Sequence, residues 1–327
     1  MKALVYDGVE TLNYRDMPDP SPATGEDLIR VEAVGICGSD MHAYHGHDSR
    51  RPAPLILGHE AAGTIVGGLR DGQRVTVNPL VTCKTCSFCT SGRENICQER
   101  QLISLPPREG AFAQFLSIPS ENLIVVPDGV SLAKAALAEP LAVSWHAARL
   151  GVEALKPGNS RSALVLGGGA IGVAGALALT ALGIEDVTIV EPNADRRSYL
   201  KKQMGYPVLD EPAGAYGIVM DAVGYDATRA AASAAVEAGG IILHIGLGAG
   251  LGGLDVRRFT LQEISFIGTY CYTPKDFRDT ADALFTGRLG SLDWIEERSL
   301  SDGAGAFADL DGARVAAPKI VLHPWAD

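Results

Sequence analysis

Four cysteines, Cys83, Cys86, Cys89 and Cys97, follow the pattern C-x-x-C-x-x-C and then a fourth after seven intervening residues. That spacing suits a closed tetrahedral thiolate cage for zinc. A secreted disulfide framework is not expected, because Met1-Lys2-Ala3-Leu4-Val5-Tyr6 leads into Asp7-Gly8 without an apolar leader segment. An iron–sulfur cluster fits poorly, since the last spacing is seven rather than three and no proline follows Cys97. The lobe accounts for four of the six cysteines and leaves Cys37 and Cys271.

Cys37 opens the run Cys37-Gly38-Ser39-Asp40-Met41-His42, upstream of Gly58-His59-Glu60. A thiolate, an imidazole and carboxylates are thus available for a second metal, this one chemical rather than structural. A catalytic zinc takes about three protein ligands and keeps an open position. Cys37, His59 and a carboxylate would supply them, with Glu60 and Glu139, in Ala138-Glu139-Pro140-Leu141, as competing carboxylates. Neighbouring side chains usually diverge, so His59 and Glu60 need a turn to reach one ion together. One carboxylate is expected to bind directly and the other through water. Asp40 is the expected acceptor for the distal N–H of His59, and Ser39 and His42 are placed to carry a proton to solvent. Each residue alone has a plainer reading: a buried small thiol for Cys37, turn or cap residues for Ser39 and Asp40. His45 and His47 read as surface or cleft rim.

A chain of 327 residues with 46% hydrophobic content has room for about two domains. Its net charge of −11 and pI near 5.1, without a Lys/Arg cluster, argue against nucleic acid or an anionic membrane as partner. Ser162 to Ile184 carries no charge and is long enough to span a bilayer. Gly167, Gly168, Gly169 and Gly172 crowd its first half, however, and suit a tight strand-to-helix turn.

Up to about Trp145, short β-like runs such as Leu28–Val34 and Arg74–Val77 alternate with Gly/Pro-rich connections, an irregular β-rich domain. Beyond it, strand Ala163–Leu166, helix Ala170–Leu182 and strand Asp186–Val190 form a βαβ unit closed by Glu191. Further strands are expected at Gly217–Met220 and Gly240–Ile245, with a helix over Thr228–Ala238 between them. The connection from Leu209 to Gly217 is too short for a helical crossover, so one helix of an open parallel sheet is missing. The tail from about Ser299 to Leu322 reads as β-like and is expected to return to the first domain.

Gly167-x-Gly169-x-x-Gly172 follows a strand, opens a helix and precedes Glu191 by about twenty residues, the context of a dinucleotide fingerprint. The glycines let backbone N–H groups approach a pyrophosphate at the helix N-terminus. Glu191 can accept from a free ribose 2′-hydroxyl and would repel a 2′-phosphate, which favours NAD over NADP; Arg196 and Arg197 nearby are the residues that could hold that phosphate.

In order, these motifs resemble the zinc-containing medium-chain alcohol dehydrogenases, most of all their sorbitol/polyol dehydrogenase branch. The resemblance implies an α/β chain with a GroES-like β-rich catalytic domain (residues 1–145 and 295–327) discontinuous about a Rossmann doubly wound parallel sheet (146–294). It implies two zincs per chain, one catalytic and one structural. Cys37, His59 and Glu60 become ligands, with Glu139 at the metal directly or through water, and Ser39 and His42 the proton relay. Ile171, Glu191, Arg196, Gly246 and Leu247 match cofactor-contacting positions. Glutamate at 139, where the ethanol-oxidising branch has cysteine, favours polyols or secondary alcohols. The implied enzyme is a cytoplasmic NAD-dependent homo-oligomer, dimer or tetramer, that binds neither nucleic acid nor membrane. Threonine- or formaldehyde-type zinc dehydrogenases share every motif; a zinc-free quinone or enoyl reductase would lack the Cys37/His59/Glu139 set, and a non-catalytic zinc and NAD sensor would not need Ser39 or His42. Tyr44, Phe112, Tyr270 and Tyr272 are candidate cleft walls. A valine/glycine-rich connection usual between Val66 and Arg74 is also shortened here.

Overall fold

The computed structural model describes residues 1–326; Asp327, the last residue of the expected first domain, lies outside the described residues. The first part of the chain runs β1 (Lys2–Gly8), β2 (Thr11–Asp16), β3 (Glu26–Gly35), α1 (Gly38–Tyr44), β4 (Leu55–Ile56), β5 (Glu60–Val66), β6 (Arg74–Val77), β7 (Leu80–Val81), α2 (Ser87–Thr90), β8 (Gln101–Leu102), β9 (Phe115–Pro119) and β10 (Leu123–Val125). Helices α3 (Leu132–Ala136) and α4 (Ala138–Ala154) lead into β11 (Ser162–Leu166), α5 (Ala170–Ala181), β12 (Asp186–Val190), α6 (Ala194–Gln203), β13 (Val208–Leu209), β14 (Tyr216–Asp221), α7 (Asp226–Ala235), β15 (Val236–His244), α8 (Val256–Gln262), β16 (Ser265–Gly268) and α9 (Pro274–Phe285). The chain closes with β17 (Ile295–Ser299), α10 (Gly303–Asp311) and β18 (Lys319–His323).

The β-rich part is built on a seven-stranded sheet ordered β10-β6-β5-β3-β18-β17, with β9 also on β3. The tail returns to it, as its pattern suggests: β18 pairs antiparallel with β3 at Val34 and Gly35. The expectation of an all-β tail needs correction, because Gly303–Asp311 is helical and buries Ala306 and Phe307 against the core of this part. Gly303, Ala306, Phe307 and Leu310 recur at intervals of three to four residues, a helical and not an alternating periodicity.

The second sheet is wholly parallel and ordered β13-β12-β11-β14-β15-β16, the doubly wound 3-2-1-4-5-6 arrangement. Period-two alternation divides its strands between two cores. Ala163, Val165, Ile218 and Met220 pack with α4 and α5, whereas Leu164, Leu166, Val219 and Ile242 pack with Ala232 and Ala235 of α7. A sheet covered on both faces requires such near-continuous apolar strands. Residues 210–215 between β13 and β14 contain no helix, in line with the shortened crossover, and the trimmed connection after Val66 holds only a 3₁₀ turn, Gly68–Arg70. The helix expected over Thr228–Ala238 ends at Ala235: Val236 already pairs with Tyr216, and the register shift that follows is taken up at Gly239, φ +70°.

Ser162–Ile184 is the strand, glycine turn and helix, and no helix among the described residues is long and apolar enough to cross a membrane. Ala33, Ala62 and Val321 of the first sheet share one apolar core with α3, α4 and the nucleotide-type sheet. The two parts therefore share a continuous packed core.

Candidate active site

The residues that converge on the cleft come from strand ends. Cys37 follows the end of β3 and stands at the N-cap of α1, where its N–H donates to Asp40 Oδ2 at 2.9 Å. Gly58, φ +88°, supplies the turn that adjacent His59 and Glu60 require; a Cβ there would lie 2.6 Å from the Phe112 ring. Donor atoms of Cys37, His59 and Glu60 all lie within 4.8 Å of one another. Glu139, in the first turn of α4, is buried beside this triangle without belonging to it.

Glu60 is fully buried and its two oxygens differ. Oε1 accepts from Lys319 Nζ at 2.7 Å, while Oε2 is buried without a partner. Gly35, directly opposite in the β3–β5 register, makes the space, because a Cβ there would sit 2.0 Å from Oε2. An orphaned carboxylate oxygen next to a thiol and an imidazole is a donor set that fits a cation.

Asp40 accepts also from the Gly58 N–H at 3.2 Å and lies 3.5 Å from His59 Nδ1. Burial would raise its carboxyl, but His59, Arg51 and the Cys37 amide outweigh that and hold it below the usual carboxylate range. His59 shows the reverse balance: burial disfavours its charged form, and Asp40 and Cys37 together raise it well above the ordinary imidazole value. Ser104 Oγ also approaches His59 Nδ1, at 3.4 Å. Burial first, and then the charge of Glu60, push Glu139 up to about 7 against the opposing pull of His59; its Oε1 accepts from the Tyr272 hydroxyl at 2.8 Å.

The four-cysteine lobe is formed by the loop before α2 (Cys83), α2 and its N-cap (Cys86, Cys89) and the turn after it (Cys97). Sulfur–sulfur separations are 3.5 Å (Cys97–Cys83), 3.6 Å (Cys86–Cys89) and 3.9 Å (Cys83–Cys89). A tetrahedron with metal–sulfur bonds of about 2.3 Å has edges of about 3.8 Å, so the unbridged thiols match a zinc cage and not a disulfide. Cys89→Ser is accordingly expected to cost several kcal/mol of stability. Thermal unfolding with and without a chelator checks this; an unchanged melting temperature would refute the structural assignment.

Each fingerprint glycine has its own steric reason. Gly167 has φ +101°; a Cβ on Gly172 would meet the Gly167 carbonyl oxygen at 1.8 Å; and the space before Gly169, the N-cap of α5, is open. Glu191, at the end of β12, accepts from the Gly168 N–H (3.0 Å, Oε2) and the Asn193 N–H (2.8 Å, Oε1). Arg196 donates to the Val315 carbonyl and keeps Nε without a partner. One cavity of about 610 Å³ is walled by Cys37, Glu60, Gly169, Ile171, Glu191 and Arg196, among others, so the metal triangle and the fingerprint open into the same space.

Other expected positions lie outside the lining of this cavity. Ser39 is half-buried on α1 and His42 is exposed, its ring 6.5 Å from that of His47. Gly246 packs on the Val223 backbone and Leu247 is 76% exposed; neither is among the residues that line this cavity. Phe112 and Tyr44 are not cleft walls: Phe112 is fully buried edge-on to Phe307, and Tyr44 packs on Phe307 and His45. His45 lies between Glu10 and Asp311, consistent with a surface role. Sequence reasoning missed Lys319, Gly35, Ser104 and Arg51, and the bond from Tyr272 to Glu139.

A glycine cradle for a dinucleotide, opening beside a thiolate–imidazole–carboxylate triangle, defines a metal-assisted, nucleotide-dependent oxidoreductase. Two family models match the chain, the alcohol dehydrogenase GroES-like domain over residues 23–128 and the zinc-binding dehydrogenase over residues 170–286. L-galactonate-5-dehydrogenase of Escherichia coli is 31% identical over 88% of this chain and 88% of its own. Sorbitol dehydrogenase of Arabidopsis thaliana is 30% identical over 81% of this chain and 79% of its own. The structure of acetophenone reductase from Geotrichum candidum in complex with NAD superposes with a TM-score of 0.86 at 26% identity, covering 100% of this chain and 98% of that one. The chain belongs to the zinc-containing medium-chain alcohol dehydrogenase family, and is an oxidoreductase using zinc and a nicotinamide cofactor.

Proposed function

We propose that this chain oxidises a polyol or secondary alcohol to the ketone with NAD as hydride acceptor. The observation that carries the reading is the shared cavity, in which Cys37 and Glu60 face the fingerprint and Glu191. The relatives named sorbitol dehydrogenase and L-galactonate-5-dehydrogenase support a polyhydroxy substrate, as does a carboxylate at Glu139.

Cys37, His59 and Glu60 would hold the catalytic zinc, with Glu139 as the neighbouring carboxylate, and Cys83, Cys86, Cys89 and Cys97 the structural one. Zinc bound at the first site supplies a Lewis acid that polarises the alcohol oxygen, and the nicotinamide supplies the hydride acceptor. Asp40 orients His59 by facing Nδ1, leaving the other ring nitrogen for the metal. Ser39 and His42 carry the alcohol proton outward, with exposed His42 as its exit. Gly167, Gly169, Ile171 and Gly172 seat the pyrophosphate, and Glu191 the adenosine ribose, with Arg196 beside it. Gly246 lets Val223, a cavity wall, stand where it does, and Leu247 is assigned next to the nicotinamide end.

Residues 1–145 and 295–327 are taken as the catalytic domain and 146–294 as the nucleotide domain; the β18–β3 pairing supports that division. Phe266 on edge strand β16, with exposed Leu247, Leu251, Val256 and Leu261 nearby in sequence, supports a homo-oligomer. Six free cysteines fit a reducing, cytoplasmic setting.

Zinc content per chain, measured with NADH formation on polyols, secondary alcohols, primary alcohols and threonine, tests the reading. Two zincs with NADH from polyols are expected; one zinc and no turnover would overturn it. Glu191→Ala is expected to weaken NAD binding by about tenfold, the worth of one charge-assisted hydrogen bond, and to narrow the preference over NADP. Titration of both cofactors by fluorescence reads this, and unchanged affinities would remove the ribose role.

A further inference from the structure

Outside the metal triangle, the buried charged groups of the nucleotide-type part include a cluster joining α4 to the start of α9. Asp276 is 1% exposed and His146 7% exposed. Asp276 Oδ2 accepts from His146 Nδ1 at 2.7 Å, from the Thr273 hydroxyl at 2.7 Å and from the Thr273 N–H at 3.1 Å; Oδ1 accepts from Arg149 Nε at 2.7 Å. Thr273 and Asp276 cap α9 reciprocally, with Pro274 in its first turn. Both carboxylate oxygens are thus engaged, and none of the cluster's side chains belongs to the metal triangle.

Its position relative to the site is what gives it meaning. His146 lies seven residues after Glu139 on α4, two helical turns along the same face, and Asp276 lies four residues after Tyr272. The same two segments are therefore joined twice, by Tyr272–Glu139 and by the Asp276 cluster. Between Tyr272 and Tyr270 stands Cys271 with φ +48°, a left-handed conformation that a non-glycine residue holds only where its surroundings impose it. Anchors lie on both sides: Asn95 Nδ2, from the four-cysteine lobe, donates to the Tyr270 carbonyl at 2.9 Å, and Asp276 fixes the other end.

We propose that Asp276, with His146 and Arg149, is a positioning residue for Glu139: it pins the 270–276 ribbon to α4 at the register that delivers the Tyr272 hydroxyl to the Glu139 carboxylate. The bond at Tyr272 is buried and made by a residue with an unfavourable neighbour in the backbone, so small slippage of the ribbon would remove it. A displaced Tyr272 leaves Glu139 without its donor and free to swing relative to the metal triangle. Misplacement of a reacting constellation by a fraction of an ångström is costly to turnover although nothing in the constellation has been deleted.

The proposal rests on the dehydrogenase reading, and its test separates the two. Asp276→Asn risks misfolding, so the cycle uses Arg149→Met, Tyr272→Phe and the double variant, each assayed for kcat and KM, NADH affinity and melting temperature. Arg149→Met is expected to lower kcat about 3–10-fold with KM and NADH affinity within about twofold of the parent, but to have less than about a twofold effect on kcat when Tyr272 is already phenylalanine. The melting-temperature loss caused by Tyr272→Phe is likewise expected to shrink in the Arg149→Met background, a readout independent of turnover. Equal kcat losses in both backgrounds, or fully additive melting-temperature losses, would overturn the positioning role. If the parent protein oxidises no alcohol, the functional reading fails while the melting-temperature cycle still decides the clamp.

Discussion

Cys37→Ser or His59→Ala is expected to lower kcat/KM by roughly 10³-fold or more while NADH still binds. The metal's polarisation of the alcohol oxygen contributes several kcal/mol, and each 1.36 kcal/mol is a factor of ten in rate. The two residues stand on different elements, Cys37 at the N-cap of α1 and His59 after the Gly58 turn, and neither helps to form the glycine cradle. Loss of catalytic zinc should therefore leave the cofactor half of the cavity intact. Zinc analysis, NADH fluorescence titration and steady-state kinetics on the same preparations check this, and turnover surviving in a zinc-depleted Cys37→Ser variant would refute the assignment.

Lys319→Met is expected to be the most destabilising single change near the site, by about 3–5 kcal/mol when measured on protein freed of zinc by a chelator. Lys319 and Glu60 are both buried, and Lys319 also donates to the Ile36 carbonyl at 2.7 Å, just before Cys37. Burial works against the lysine's charge, and Glu60 foremost among nearby anions more than offsets it, raising its pKa. Removing the cation leaves a buried carboxylate with one orphaned oxygen and without its lysine counter-charge. Pairing the change with Glu60→Gln should restore part of the loss, because the uncompensated charge disappears. Denaturant midpoints for the single and double variants read both effects; a Lys319→Met midpoint equal to the parent's would show the pair to be energetically idle.

Those two predictions differ in how their residues could be found. Cys37, His59 and the lobe cysteines are spaced closely enough along the chain for the pattern to carry the chemistry. The glycine fingerprint is legible for the same reason, since a strand, a tight turn and a helix N-terminus are consecutive in sequence. The doubly wound sheet followed from its apolar strands, and the shortened crossover from a connection too brief for a helix. The ends of elements were less legible. The helix after Asp226 stops early because Val236 joins the sheet, and the tail holds a helix because Phe307 and Ala306 find a core to bury in.

What the sequence determined by itself is a metal-binding, dinucleotide-binding chain with its donor types and its glycine turn, because those depend on residues a few positions apart. The tertiary structure decided which carboxylate joins the triangle. Glu60 enters it because β5 lies in register with β3 and Gly35 opposite leaves room, and Lys319, 259 residues further on, neutralises one oxygen while the other remains open. Glu139 was given to Tyr272, 133 residues away, by the packing of α4 against the ribbon before α9. Strand register and helix packing bring such partners together, and both are set by the burial of whole faces, so no local spacing records them.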